Sequence, residues 1–236
     1  TNITFAIYHE ADYQAKELHF EPGLKTHFTV ENERFMVPAP GVFSVYNALA
    51  AIACGRTLGI DTEVLKEGLS KVHVAGRVNV IDELPGVEVV VDYAHNGMSM
   101  RNLLETLRLY QPKRLIVLFG SVGGRTKGRR KELGDVVAEL ADIAILTSDN
   151  PDNEDPEQIL DDIQKSFVNS KCKVYREVDR KKAIDLAVSL AEPGDALVFA
   201  GKGHEKEQLI EGEWRPHDEI ALVRAACQRA ALLRDN

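Results

Sequence analysis

Cysteine is scarce in this sequence. Cys54, Cys172 and Cys227 stand far apart, odd in number and without CxxC spacing. That argues against a disulfide framework, points to a reduced, cytoplasmic setting and assigns the thiols no role. An excess of basic charge is also missing. The net charge is −8, which makes nucleic acid and anionic membranes poor partners, although the cluster at 125–131 could hold a small anion. No apolar run is long enough to span a bilayer. The opening "TNITFAIYHEADYQAK" lacks a basic segment followed by an apolar core, so no signal peptide is read. There is no internal repeat, no GxxxxGK[ST] and no GxGxxG. The chain begins at Thr1, without methionine, in strand-like text; it reads as a fragment.

What is present suits one large domain or two smaller ones. The 236 residues are 44% apolar and 28% charged, enough to bury a real core. Residues 18–38 alternate loosely and read as short strands, with turns at Pro22-Gly23 and Glu31-Asn32. Residues 41–60 read as an apolar, alanine-rich helix and 61–72 as an amphipathic helix capped by Asp61 or Thr62. These first residues, to 78, carry no complete sheet and read as the tail of a larger domain. From residue 79 a regular rhythm begins. Strand candidates at 87–94, 114–120, 143–148, 172–177 and 196–201 alternate with helical patterns at 97–110, 129–141, 156–168, 179–191 and 217–231. A late hairpin is read around Glu211-Gly212. The expected class is α/β, a Rossmann-like, mainly parallel sheet flanked by helices.

In such sheets ligands bind beyond the carboxyl ends of the strands. The loops there carry the informative residues. "DYAHNG" (92–97) offers Asp92 and His95, either as a helix cap and a surface histidine or as acceptors for ribose hydroxyls. "GSVGGRTKGRR" (120–130) places Arg125 and Lys127 among glycines, which suits an anion. "TSDNPDNEDPEQIL" (147–160) is denser in polar groups than a turn requires. Asp155 as N-cap and Pro156 at the first helical position account for its second half. Asp149, Asn150 and Asp152 are left over, and carboxylates with an amide suit an amine-bearing ligand. "GKGHE" (201–205) adds Gly201 and Gly203 for tight backbone approach, Glu205 as a further carboxylate, and His204 as an orienting residue.

Taken with "GVFSVYNALAA" and "GRVNV", these loops in this order resemble the Mur ligase family, ATP-dependent enzymes of peptidoglycan synthesis. The likeness is strongest to members that add the third stem-peptide residue to UDP-N-acetylmuramoyl-L-alanyl-D-glutamate. The resemblance implies that 1–78 is the end of a central ATP-binding domain and 79–236 the amino-acid-binding, Rossmann-like C-terminal domain. The UDP-sugar domain, the P-loop, the magnesium ligands and a carbamylated lysine are expected upstream. By motif, Asn47 and Arg77 are expected to contact the nucleotide and Asp92 the ribose, with His95 and Asn96 nearby. Asn96 is followed by Gly97, where the family usually has proline. Arg125 is expected to hold a carboxylate of the amino acid, Asn150 and Asp152 to select its distal group, and Gly201 and Glu205 to hold an amine, with Asp149 a further amino-acid-binding residue. ATP and Mg2+ are the implied cofactors. The family's chemistry runs through an acyl phosphate attacked by the amine.

One departure bears on the substrate. Diaminopimelate-adding members have DNPR, whose arginine pairs with the distal carboxylate; this chain has DNPD. Losing a charged hydrogen bond costs roughly 1.5–3 kcal/mol, or about one to two decades in affinity. On that ground L-lysine is the expected amino acid, ornithine next and meso-diaminopimelate the alternative. Outside this reading stand a folylpolyglutamate or cyanophycin synthetase relative, a non-catalytic amino-acid- or nucleotide-binding module, and an inert structural domain.

Overall fold

The computed structural model describes residues 2–72, 78–125 and 127–234. The chain divides into two compact units, Thr1–Val74 and Ala75–Asn236. The boundary expected from sequence was 78/79.

In the first unit β1 (Phe5–Ala6) pairs in parallel with β2 (Tyr13–Gln14). Strands β3 (Lys16–Glu21), β4 (Lys25–Val30) and β5 (Glu33–Val37) form an antiparallel sheet. Between β4 and β5 the turn residues Glu31 and Asn32 both have positive φ, 52° and 67°, as a tight two-residue hairpin requires. Strand β4 buries alternate residues, Thr26, Phe28 and Val30, which is the two-residue period of a sheet with one covered face. Phe28 stacks on its cross-strand partner Phe35, ring centroids 5.8 Å apart. Helix α1 (Gly41–Thr57) adds Val45, Ala48, Leu49 and Ile52 to that core. Helix α2 (Thr62–Ser70) starts at Asp61, whose carboxylate accepts the Glu63 N–H at 2.8 Å.

The second unit is a six-stranded sheet with helices on both faces. Its elements in chain order are β6 (Asn79–Ile81), β7 (Glu88–Asp92), α3 (Gly97–Arg108), β8 (Leu115–Phe119), α4 (Gly128–Leu140), β9 (Ile143–Leu146), α5 (Pro156–Gln164), β10 (Lys173–Arg176), α6 (Arg180–Leu190), β11 (Ala196–Ala200), β12 (Glu207–Ile210), β13 (Glu213–Pro216) and α7 (Glu219–Arg234). The strand order is β10-β9-β8-β11-β7-β6. Every pairing is parallel except β6 with β7. Strands β8, β9 and β11 are buried along their whole length, hence their unbroken apolar runs. Alternate residues such as Val89, Val91, Ile116, Leu118, Leu197 and Phe199 pack with α6 and α7. The residues between them point to the opposite face, where α3, α4 and α5 lie side by side.

This order sets where a ligand can go. Strand β11 is inserted between β8 and β7. The chain leaves β7 and β8 toward α3 and α4 on one face, but leaves β11 through the β12–β13 hairpin toward α7 on the other. Connections that part to opposite faces open a crevice at the carboxyl end of the sheet.

Candidate functional site

Four loops meet at that end of the sheet. The one after β11 is tied to the strand beside it, since Gly201 N–H donates to the Asp92 carbonyl at 3.1 Å. Gly201 has φ +108°, and a Cβ there would sit 3.0 Å from Asp149 Oδ2. Gly203 lies against Tyr93; a Cβ would come within 2.8 Å of that side chain. The loops after β8 and β9 cross just as closely. Gly123 N–H donates to the Asn150 carbonyl at 2.8 Å, and a Cβ on Gly123 would fall 1.9 Å from the Pro151 carbonyl oxygen.

At the centre lies the fully buried Lys202. Its ammonium donates to Asn150 Oδ1 at 2.5 Å, Glu205 Oε2 at 3.1 Å and the Glu207 carbonyl at 3.0 Å, and lies 3.4 Å from Asp149 Oδ1. One cation thus gathers three of the polar residues expected at the site, from two different loops. The Tyr93 phenol joins them. Burial pushes it above its ordinary value, the charge and hydrogen bond of Glu205 and the charge of Asp149 add to the rise, and Arg125 pulls the other way. Arg125 is exposed and within electrostatic reach of this cluster. The Tyr93 ring also packs between His95 and His204, centroids 4.7 and 5.4 Å away.

Other expected residues have structural employment. Asp92 is buried, and its two oxygens accept the backbone N–H groups of Val78 and Ala94, each at 2.8 Å. It does not cap α3. That task belongs to Asn96, whose side chain accepts the Ser99 N–H while Ser99 Oγ accepts the Asn96 N–H. A capping box suits asparagine at this position, so Asn96 has a local structural reason. His95 Nδ1 donates to the Tyr93 carbonyl at 3.0 Å. Asn47 is exposed on α1 in the first unit. Arg77 lies outside the described residues.

Asp152 has a backbone task beside the ligand role its charge suggested. Its φ is +54°, a left-handed conformation that aspartate tolerates better than most side chains. Its N–H donates to the Leu209 carbonyl and its carbonyl accepts the Glu211 N–H, at 3.0 and 2.7 Å. Its carboxylate accepts from Asn153 Nδ2 at 3.0 Å. Asp152 is a turn residue that bridges the loop to the hairpin. The rest of the polar stretch is equally occupied. Ser148 Oγ donates to the Val178 carbonyl and Glu154 accepts from buried Arg130 and from Gly124 N–H, while Asp155 caps α5.

Sequence reasoning passed over Lys202, Tyr93 and the buried trio behind the loops. Arg180 and Glu219 are fully buried partners, 2.6 Å apart, and His217 Nε2 donates to Glu219 at 2.6 Å. Arg180 also donates to the carbonyls of Ser148 and Ala200, the residues just before Asp149 and Gly201. A lysine between two glycines gave a weak signal that it was more than surface charge; Arg180 gave none, being spread over three distant segments. Burial pushes the Cys172 and Cys227 thiols up to about 12 and about 11, as for inert thiols. Among the described residues no group of three or more His, Cys, Asp or Glu could hold a metal ion, and no helix is long and apolar enough to cross a membrane.

Comparison with known proteins accords with this geometry. The family model described as "Mur ligase, glutamate ligase domain" matches residues 76–203. A UDP-N-acetylmuramoyl-L-alanyl-D-glutamate--2,6-diaminopimelate ligase of Caldanaerobacter subterraneus subsp. tengcongensis is 38% identical over 94% of this chain and 47% of its own length. The protein of the same name from Synechocystis is 40% identical over 92% of this chain and 44% of its own. A solved structure of a ligase so named superposes with TM-score 0.76 at 31% identity, covering 99% of this chain and 48% of that one. The chain therefore spans about half the length of the curated relatives it matches. A folylpolyglutamate synthase of Thermotoga maritima, at 21% identity and TM-score 0.63, shares the fold alone. By the span of the family match and the likeness of these relatives, the chain belongs to the Mur ligase family.

Proposed function

We propose that this chain is the C-terminal part of a peptidoglycan-precursor ligase, in which the first unit ends a central ATP-binding domain and the second binds the incoming amino acid. The complete enzyme joins the third stem-peptide residue to UDP-N-acetylmuramoyl-L-alanyl-D-glutamate with consumption of ATP, in a reducing cytoplasm that leaves the three cysteines free. The supporting observation is the convergence of four loops on one rim, with Asp149 and Glu205 facing a buried cation and Arg125 within reach of the same tyrosine. Both signs of charge at one rim suit a zwitterion. Arg125 takes a carboxylate of the amino acid; Glu205 and the Gly201 backbone take an amine. His95 and the free lone pairs of Asp92 line the nucleotide ribose, and Asn47 and Arg77 complete the nucleotide contacts. Holding the amine against an activated carboxyl is a positioning task, and closing the loops over it keeps water out. Magnesium neutralises the phosphate charge when bound, on ligands supplied by the rest of the enzyme.

For the amino acid, meso-diaminopimelate replaces the L-lysine expected from the DNPD motif. The relatives quoted above are named for 2,6-diaminopimelate. Asp152, the residue behind the lysine expectation, has a backbone reason for its identity and a neighbour, Asn153, for its carboxylate. The complete ligase should release ADP with both UDP-dipeptide and meso-diaminopimelate present, with kcat/KM at least about tenfold above that for L-lysine, the lower end of one lost charged hydrogen bond. A preference for lysine would return the specificity to Asp152. No turnover with either would remove the ligase reading.

A further inference from the structure

Lys202 has no ligand-facing task in the scheme above, yet it is the most deeply placed charge at the rim. An ammonium has three protons and no lone pair. Its bonds to Asn150 Oδ1, Glu205 Oε2 and the Glu207 carbonyl use all three, so none remains for a substrate. Asn150 Oδ1 accepts a second bond, from Leu209 N–H at 3.0 Å. Both neighbours of that oxygen can only donate. Exchanging the oxygen and nitrogen of the amide would set an NH2 group against an ammonium and a backbone N–H, leaving all three unpaired. The amide is therefore fixed in one orientation. Its Nδ2 points away from Lys202, belongs to a half-buried residue, and makes no hydrogen bond among the described residues.

We infer that Lys202 is a positioning residue that locks the Asn150 amide so that it presents only hydrogen-bond donors to the bound amino acid. A ligand whose far end carries a carboxylate is matched by that face. One that ends in an ammonium meets like with like and leaves the amide protons unpaired. This selection deepens the proposed function and rests on the rim being the amino-acid pocket. It also supplies, from the residue two before Asp152, donor chemistry that an aspartate there does not offer.

Two variants of the complete ligase test the lock. Lys202→Met removes the donor that holds the amide. Asn150→Asp keeps an oxygen for Lys202 and Leu209 to bind, and so keeps the fold, but removes the outward protons. Each should raise the KM for meso-diaminopimelate about ten- to a hundredfold, the range for one charged hydrogen bond. Each should leave the KM for ATP within about twofold and narrow the preference over L-lysine by a similar factor. Loss of kcat with both KM values unchanged would mark a merely structural lysine and overturn the inference. A second readout needs no turnover. In the isotopically labelled chain, the Asn150 side-chain protons should show no strong nuclear Overhauser contact to the Leu209 amide proton. A strong contact there would mean that the amide is turned the other way, and Lys202 then fixes nothing. If the wild-type ligase used neither amino acid, the function would fall while this spectrum still judged the lock.

Discussion

Arg180 carries a positive charge to a place with no measurable exposure and spends its donors on one carboxylate and two carbonyls. Burial pushes the Glu219 carboxyl up, but the Arg180 charge, the bonds from His217 and Arg180 and the His217 charge together outweigh it, and the group is held at about 2. The unfolded value is 4.5. A carboxylate depressed in the folded state contributes stability that is fully present above 4.5 and is lost as pH falls toward 2. Urea unfolding of the second unit should accordingly show its midpoint dropping between pH 5 and 2, and Glu219→Gln should flatten that slope. Removing one partner leaves the other charge buried and alone. Arg180→Met should cost about 3–5 kcal/mol, and the added change Glu219→Leu should recover part of it. An additive double variant would mean that the pair is not coupled.

At the scale of elements, the helices and buried strands were legible because their signals repeat. The apolar runs at 87–94, 114–120, 143–148, 172–177 and 196–201 became β7 to β11 with the ends trimmed by at most two residues. The turn at Glu211-Gly212 and the Asp155–Pro156 helix start stand where turn chemistry put them. Strands β1, β2 and β6 were not separately visible, because two or three residues show no period and owe their pairing to neighbours. The loops divide the same way. Gly123 and Gly124 look alike in sequence, but a Cβ on Gly123 would strike the Pro151 carbonyl, whereas at Gly124 it meets open space and only the positive φ of 64° matters. Gly124→Ala should therefore cost about 1–2 kcal/mol through backbone strain. Gly123→Ala should cost more, because it forces the loop after β8 off the loop after β9. Comparing the two melting temperatures checks this, and equal losses would refute the close crossing.

For the whole molecule, what counts is that the chain spans about half of its curated relatives. It holds no GxxxxGK[ST] sequence, so the backbone cradle for triphosphate that the family's chemistry needs is not among its own residues. Incubated alone with ATP, UDP-dipeptide and meso-diaminopimelate, it should release no ADP above background. Robust release dependent on both acceptor substrates would show that this half carries the chemistry.

The sequence by itself determined the alternation of strand and helix, the glycine and proline positions of the turns, and the polar content of each loop, because these depend on residues near one another along the chain. Only the tertiary structure decided that β11 slides between β8 and β7, opening the crevice. It also decided that Lys202 faces inward and that Asp152 takes a left-handed turn conformation. Those outcomes rest on contacts between segments from about fifty to about a hundred residues apart, and a partner across such a distance leaves no local trace for the chain to show.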